Sequence, residues 1–228
     1  MSYQIAIDGP AGAGKSTIAR KLAKQKGFIY VDTGAMYRAM AYYFLKKEVS
    51  PDDTSSIEKR CMEADITIGY ENGEQVVYLN GENVNGVIRT EEVGNMTSSW
   101  VSKNPGVRER LTALQKELAR TNNVVMDGRD IGTCVLPHAD VKVYLTASAA
   151  VRAKRRFDEL TAKRVACDIG QIEEDIILRD RQDMNREIAP LKQAEDAVLV
   201  DSSDMTIDEV VAAISDLCRQ GSYKEKEA

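Results

Sequence analysis

The stretch Gly9-Pro10-Ala11-Gly12-Ala13-Gly14-Lys15-Ser16 has the form G-x-x-x-x-G-K-S, a spacing suited to holding a chain of phosphates. Its glycines let the backbone turn tightly enough for successive N–H groups to face phosphate oxygens. Lys15 supplies a point charge for the β and γ phosphates, and Ser16 offers a hydroxyl to Mg²⁺. Such a loop binds anions where it joins a strand to a helix, because the helix N-terminus completes the site. Both neighbours are legible. YQIAID reads as a buried strand, and KSTIARKLAKQKG carries apolar residues at helical spacing with Gly27 as its stop. The loop implies a nucleoside-triphosphate site. Alone, it does not separate a kinase from a GTPase switch or an ATPase motor.

A kinase needs a second anion site for its acceptor, and ligands of open α/β sheets bind at strand ends. Three stretches supply candidates. DTGAMYR puts Thr33 and Arg38 at a strand-to-helix junction, and DGRDIG puts Arg129 and Asp130 after the apolar VVM strand. RDRQDMNR spaces Arg179, Asp183 and Arg186 at i, i+4 and i+7, one face of a helix. Each has a plainer alternative: Arg38 as a solvated helix residue, DGRDIG as a turn, the last trio as a surface ion-pair row worth little. Together they suit a second phosphate, since an arginine fork grips two oxygens. Asp127 fits either a partner of metal-bound water or a structural strand end. The basic stretch RAKRRFDELTAKR, with Arg152, Arg155 and Arg156, is either a solvated helix face or a flap that closes over nucleotide.

These residues must be positioned by an α/β framework. IAID, FIYVD, VVMDG, VKVYL and AVLVDSS give about five buried parallel strands, with helices between them on both faces of the sheet. One long charged helical stretch is expected from Ala149 to Glu187, and a last amphipathic helix in TIDEVVAAISDLCRQ, before a frayed tail over 221–228. ITIGYENGEQVVYLNGENV has a different texture. It alternates apolar and polar residues and carries Asn72-Gly73 and Asn80-Gly81, both hairpin signals. An antiparallel inserted subdomain is therefore expected over about 65–94, within one domain whose core is 1–64 and 95–218.

Bulk properties narrow the function classes. The 228 residues, 43% hydrophobic, suffice for one α/β domain with a small insertion. A net charge of −5 argues against a dedicated nucleic-acid surface. No apolar run approaches a membrane span and no signal-peptide pattern opens the chain, so a cytoplasmic protein is expected. Cys61, Cys134, Cys167 and Cys218 form no C-x-x-C pair and read as reduced thiols. His138 is the single histidine, placed after a proline in a loop, so histidine-based catalysis is effectively excluded.

IDGPAGAGKST, DTGAMYRA, IRTEEV, VRERL, DGRDIGT and RDRQDMNREIAPL occur in that order and resemble the bacterial cytidylate kinases, the (d)CMP kinases of the P-loop nucleoside-monophosphate kinase family. The likeness runs from about Ile5 to about Cys218. It implies a parallel core sheet, an acceptor region, an inserted three-stranded antiparallel sheet and a mobile helical lid at about 152–168. It also implies roles. Gly9, Pro10, Ala11, Gly12, Ala13, Gly14, Lys15, Ser16 and Thr17 would hold ATP phosphates, with Mg²⁺ at Ser16, and Arg155 and Arg156 would come from the lid. Arg38, Arg129 and Arg186 would grip the CMP phosphate. Ser99, Arg108 and Asp130 would lie at the cytosine and its neighbours, Arg179 with Asp183 at the sugar, and Thr33, where some members have serine, would keep a hydroxyl among the CMP contacts. Lys15, Arg129, Arg155 and Arg186 would carry the transfer. A monomer acting on ATP and CMP or dCMP, without nucleic acid or membrane, is the expectation. A UMP kinase of this fold, a GTPase-like switch and a non-catalytic ATP binder are the rivals. The switch lacks an Asn-Lys-x-Asp guanine signature in this chain.

Overall fold

A computed structural model describes residues 2–71 and 74–224. In chain order the elements are β1 (Gln4–Asp8), α1 (Lys15–Lys26), β2 (Ile29–Asp32), α2 (Thr33–Lys46), α3 (Thr54–Glu63), β3 (Ile66–Glu71), β4 (Glu74–Leu79), β5 (Glu82–Asn83), α4 (Glu91–Ser99), α5 (Pro105–Thr121), β6 (Val124–Gly128), β7 (Val141–Thr146), α6 (Ala149–Ala162), α7 (Ile169–Met184), β8 (Val198–Asp201) and α8 (Ile207–Lys224). The five strands expected to be parallel form one sheet in the order β2-β6-β1-β7-β8. β1 lies at its centre, in parallel register with β6 (Ile5 opposite Val125) and with β7 (Ile7 opposite Val143). A central strand is covered on both faces, which is why IAID is apolar without alternation.

The chain forms two compact units. One runs up to Tyr30 and resumes at Asn122; the other is Val31–Thr121. In the first, Ile5, Ile7, Val125, Val143 and Leu145 of the strands pack with Ile18 and Leu22 of α1 and Val210, Val211 and Ile214 of α8. α1 starts on Gly14 and stops on Gly27, both left-handed at φ 85° and 67°. In the second, α2 buries Met36, Met40 and Phe44, and Phe44 stacks on Trp100 with ring centroids 5.4 Å apart. This unit also holds the antiparallel sheet β3-β4-β5. β4 and β5 are joined by Asn80-Gly81, at φ 50° and 82°, in the two-residue primed turn that this dipeptide favours. The other hairpin signal, Asn72-Gly73, lies outside the described residues.

Two expectations change. The long helical stretch expected over 149–187 divides into two helices, α6 and α7, parted at 163–168, and ends at Met184. No glycine or proline marks that break. Arg164 takes the left-handed turn itself at φ 58°, and Asp168 caps the next helix by accepting from the Gln171 N–H at 2.8 Å. At the other end, α8 continues to Lys224, through the start of the stretch read as a frayed tail; 225–228 lie outside the described residues.

Candidate active site

The phosphate loop follows β1 directly. Gly9 has φ 148°, and a Cβ there would stand 1.9 Å from the Leu145 carbonyl oxygen of β7, so no side chain fits. Lys15, the first residue of α1, is buried, and its Nζ donates to the Pro10 carbonyl at 2.7 Å. The lysine therefore lies back along its own loop. Burial, then the charge of Arg129, pushes its pKa down to about 7. Ser16 donates its hydroxyl to Asp127 Oδ2 at 2.9 Å, and Tyr30 donates to the other oxygen at 3.0 Å. Asp127 lies one residue before the end of β6, so the strand end delivers a carboxylate to the hydroxyl expected to meet Mg²⁺. A hydroxyl beside a carboxylate is the hard-oxygen set Mg²⁺ takes alongside phosphates.

Asp8 ties this loop to the next strand end. Its carboxylate accepts the Ile131 N–H at 2.8 Å and the Gly132 N–H at 2.7 Å, the residues directly after Arg129 and Asp130. Burial still pushes Asp8 up to about 6, against those two bonds. DGRDIG is thus more than a turn. It is held from β1, and Asp130 within it is buried.

Arg129, Asp183 and Arg186 meet. Arg129 Nε donates to Asp183 Oδ2 at 2.8 Å, and Arg186 Nη2 donates to Asp183 Oδ1. The side chains of Asp183 and Arg186 are 3% and 9% exposed, which rules out a surface ion-pair row. Burial pushes the Asp183 carboxyl up, but Arg129 and Arg186 outweigh it and hold it below the usual carboxylate range. The helical-face reading needs correcting: α7 ends at Met184, and Arg186 lies past the C-cap Asn185. It reaches Asp183 from outside the helix. Arg179, an exposed residue of α7, adds its charge to the same carboxylate.

In the second unit, Asp32 caps α2 through the Ala35 N–H at 2.8 Å and accepts from Arg38 Nη2 at 3.2 Å. Arg38 is therefore not a solvated helix residue; its side chain is 22% exposed. Gly34 lets it lie there, because a Cβ at that position would come within 3.2 Å of both Arg38 Nη1 and Asp32 Oδ1. Thr33 is buried at the start of α2. Arg108 is buried, donates to the Ser102 carbonyl at 3.1 Å and lies over the Tyr37 ring at 5.7 Å. Ser99, exposed at the end of α4, donates back to the Met96 carbonyl.

The basic helix α6 divides its arginines. Arg155 donates to the Ser202 carbonyl at 2.6 Å, and Arg156 pairs with Glu159 on the same helix. Arg152 instead reaches the phosphate loop, at the Ala11 carbonyl. Four positions escaped sequence reasoning. Asp8 and Asp32 looked like ordinary strand ends. Arg89, in the quoted IRTEEV motif, donates to the same Asp32 oxygen as Arg38, at 3.1 Å. Asp180, hidden beside Arg179, is the partner of Arg152. A carboxylate at the C-terminal end of a strand was the available signal for the first two.

A family model described as cytidylate kinase matches residues 5–220. The cytidylate kinase of Caldicellulosiruptor bescii is 52% identical over 213 residues, 93% of this chain and 94% of that protein. That of Shouchella clausii is 48% identical over 220 residues, covering 96% and 97%. Among solved structures, an uncharacterized protein from Eubacterium ventriosum superposes with a TM-score of 0.51 at 13% identity, over 96% of this chain and 99% of the other, a likeness of fold alone.

Proposed function

The chain belongs to the cytidylate kinase family, and from that premise we propose that it transfers the γ-phosphoryl group of ATP to CMP or dCMP, giving ADP and CDP or dCDP. The observation that carries the reading is the buried Asp183 carboxylate with Arg129 and Arg186 on its two oxygens, close enough to Lys15 to act on its charge. Two guanidinium groups and an ammonium gathered on strand and helix ends suit two phosphate groups that repel each other.

Phosphoryl transfer passes through a loose transition state with charge on the equatorial oxygens, so positioning and positive charge do most of the work. The acceptor phosphate is already a good nucleophile near neutral pH, and no strong general base is needed. That agrees with a chain whose single histidine is an exposed loop residue. In the proposed arrangement residues 9–17 hold the ATP phosphates, and Lys15 swings from the Pro10 carbonyl to the β and γ groups. Mg²⁺, held through Ser16 with Asp127 behind it, would neutralise charge on those oxygens. Arg38, Arg129 and Arg186 grip the acceptor phosphate. Arg179 and Asp183 meet the sugar. Ser99, Arg108 and Asp130 read cytosine, whose amino donor sits beside two acceptors; an acid or hydroxyl suits the donor and an arginine the acceptors. Arg155 and Arg156 are the lid residues that turn to ATP on closure, when water is excluded.

The test is ADP production with Mg·ATP and each nucleoside monophosphate in turn. Activity with CMP and dCMP is expected, with weaker use of UMP, since a mispaired polar edge costs about 1–3 kcal/mol. Activity with UMP alone would keep the chemistry and overturn the roles of Ser99, Arg108 and Asp130. No acceptor-dependent turnover from folded protein would leave an ATP-binding loop without transfer.

A further inference from the structure

A loop that turns its N–H groups toward an anion turns carbonyls the other way, and each buried carbonyl then needs a donor. For Pro10 the donor is Lys15. For Ala11 it is Arg152, whose Nη1 donates at 2.9 Å. The same guanidinium donates through Nε to the Ala147 carbonyl at 2.9 Å and through Nη2 to Asp180 Oδ2 at 2.6 Å. Its aliphatic stem lies against the loop as well: a Cβ on Gly12, at φ 76°, would touch Arg152 Cβ at 3.4 Å and Cγ at 3.8 Å. The Arg152 side chain is 6% exposed and that of Asp180 13%. One buried fork thus joins the phosphate loop, the end of β7 and α7.

Stability alone does not explain such a group. A buried ion pair gains little over apolar residues of similar size, because both charges lose their hydration. Asp180 even leaves Oδ1 buried with no hydrogen-bond partner among the described residues. What the arrangement does supply is geometry. It fixes the Ala11 peptide from α6, and Asp180 braces that contact from α7, the helix that carries Arg179 and Asp183.

We propose that Arg152 is a positioning residue for the phosphate loop, with Asp180 as the carboxylate that aims it, so that loop shape depends on the helix bearing acceptor-side residues. Arg152 then belongs to the donor loop, not to the moving lid. The proposal rests on the ATP reading above, and its test includes a measurement that needs no nucleotide. Arg152→Met and Asp180→Asn are compared with the unaltered protein by amide hydrogen exchange of the free chain. Faster exchange at Ala11–Gly14, by about tenfold or more, is expected, with the amides of β1, β6 and β7 unchanged. Mg·ATP affinity should fall about tenfold in Arg152→Met, while the KM for CMP moves less than twofold. The double variant should be no weaker than Arg152→Met alone, since the two residues act as one device. Arg152→Lys, which keeps the charge but not the fork, should recover only part of the affinity.

Unchanged loop exchange in both variants would overturn the proposal, as would acceleration spread evenly over the sheet, the mark of a packing role. Losses that multiply in the double variant would overturn it too. If the unaltered protein fails to bind ATP, the functional reading falls, and the exchange data still decide whether Arg152 holds the loop.

Discussion

Lys15→Met is expected to abolish most transfer and to make the free protein melt at a higher temperature. The two effects share one cause. Lys15 is buried, and burial together with the charge of Arg129 depresses its pKa from 10.5 to about 7. The native state therefore holds this ammonium at a cost, roughly 3–5 kcal/mol when it is charged. A methionine of similar length fills the space without the charge but leaves the Pro10 carbonyl without its donor, which takes back about 1–3 kcal/mol. With roughly 2–4 °C per kcal/mol in a chain of this size, a net rise of a few degrees is expected at pH 6–7. The sign with pH follows from proton counting. Between about pH 7 and 10.5 the unfolded chain binds this proton and the native state has released it, so stability from Lys15 rises with pH in that window. The advantage of Lys15→Met should shrink as pH increases from 7 toward 10, read by thermal melts across that range. Catalysis moves the other way. Bound phosphates would restore the ammonium, and losing a preorganised charge on the transferring group lowers kcat by about 10²–10³. A variant that melts no higher at pH 6.5 would mean the lysine is not strained in the free protein. Near-normal turnover would remove Lys15 from the phosphate site.

The framework was legible because its signals are local. A short apolar run such as IAID, stopped by the Gly-Pro that follows it, suits a covered strand better than a helix, and Asn80-Gly81 favours a two-residue turn through backbone torsions. Gly27 stops α1 for the same kind of reason. The candidate site could be proposed as a set of residue types, because arginines and a lysine beside strand ends have few structural uses. Its geometry was not legible. The spacing of Arg179, Asp183 and Arg186 matches a helical face, yet Arg186 meets Asp183 from beyond the helix end, and the local stop signal there, Asn185 at the C-cap, is weaker than a glycine or proline. Arg164 at φ 58° poses the same difficulty between α6 and α7. Arg152 and Asp180 were hidden for a different reason. A basic amphipathic helix and an acidic residue next to an arginine are commonplace on surfaces. The burial that makes them informative arises only when residues 28 positions apart are folded against the loop of Ala11. Asp8 shows the same limit: its two backbone donors come from more than 120 residues away.

Asp183→Asn is expected to lower both stability and transfer, and the pattern of its stability loss tests whether this carboxylate holds an anion site open. Asp183 balances two guanidinium groups, and Arg186 is almost as buried as the acid itself. Removing the negative charge leaves two neighbouring positive groups without compensation, a change that costs about 3–5 kcal/mol in buried pairs and so roughly 6–20 °C in melting temperature. The parent carboxyl is held below the usual range by Arg129 and Arg186, so its contribution is present above about pH 4 and is lost as pH falls through the lower native value. The gap between parent and variant should therefore be full at pH 6 and close below about pH 4. A surface ion pair would show no such gap. Inorganic phosphate separates the functional reading from mere packing. If Arg129 and Arg186 are set to receive a phosphate group, the uncompensated pair in Asp183→Asn should gain more from added phosphate than the parent does, and millimolar phosphate should return part of the lost melting temperature. Equal gains in both proteins would mean that the two arginines are tied to Asp183 for packing and do not form the acceptor grip. In turnover, arginines that are no longer aimed should lower kcat by about 10²-fold, with a smaller change in the KM for ATP, because the backbone of the phosphate loop is held from Arg152 while this carboxylate reaches ATP only through the charge of Lys15.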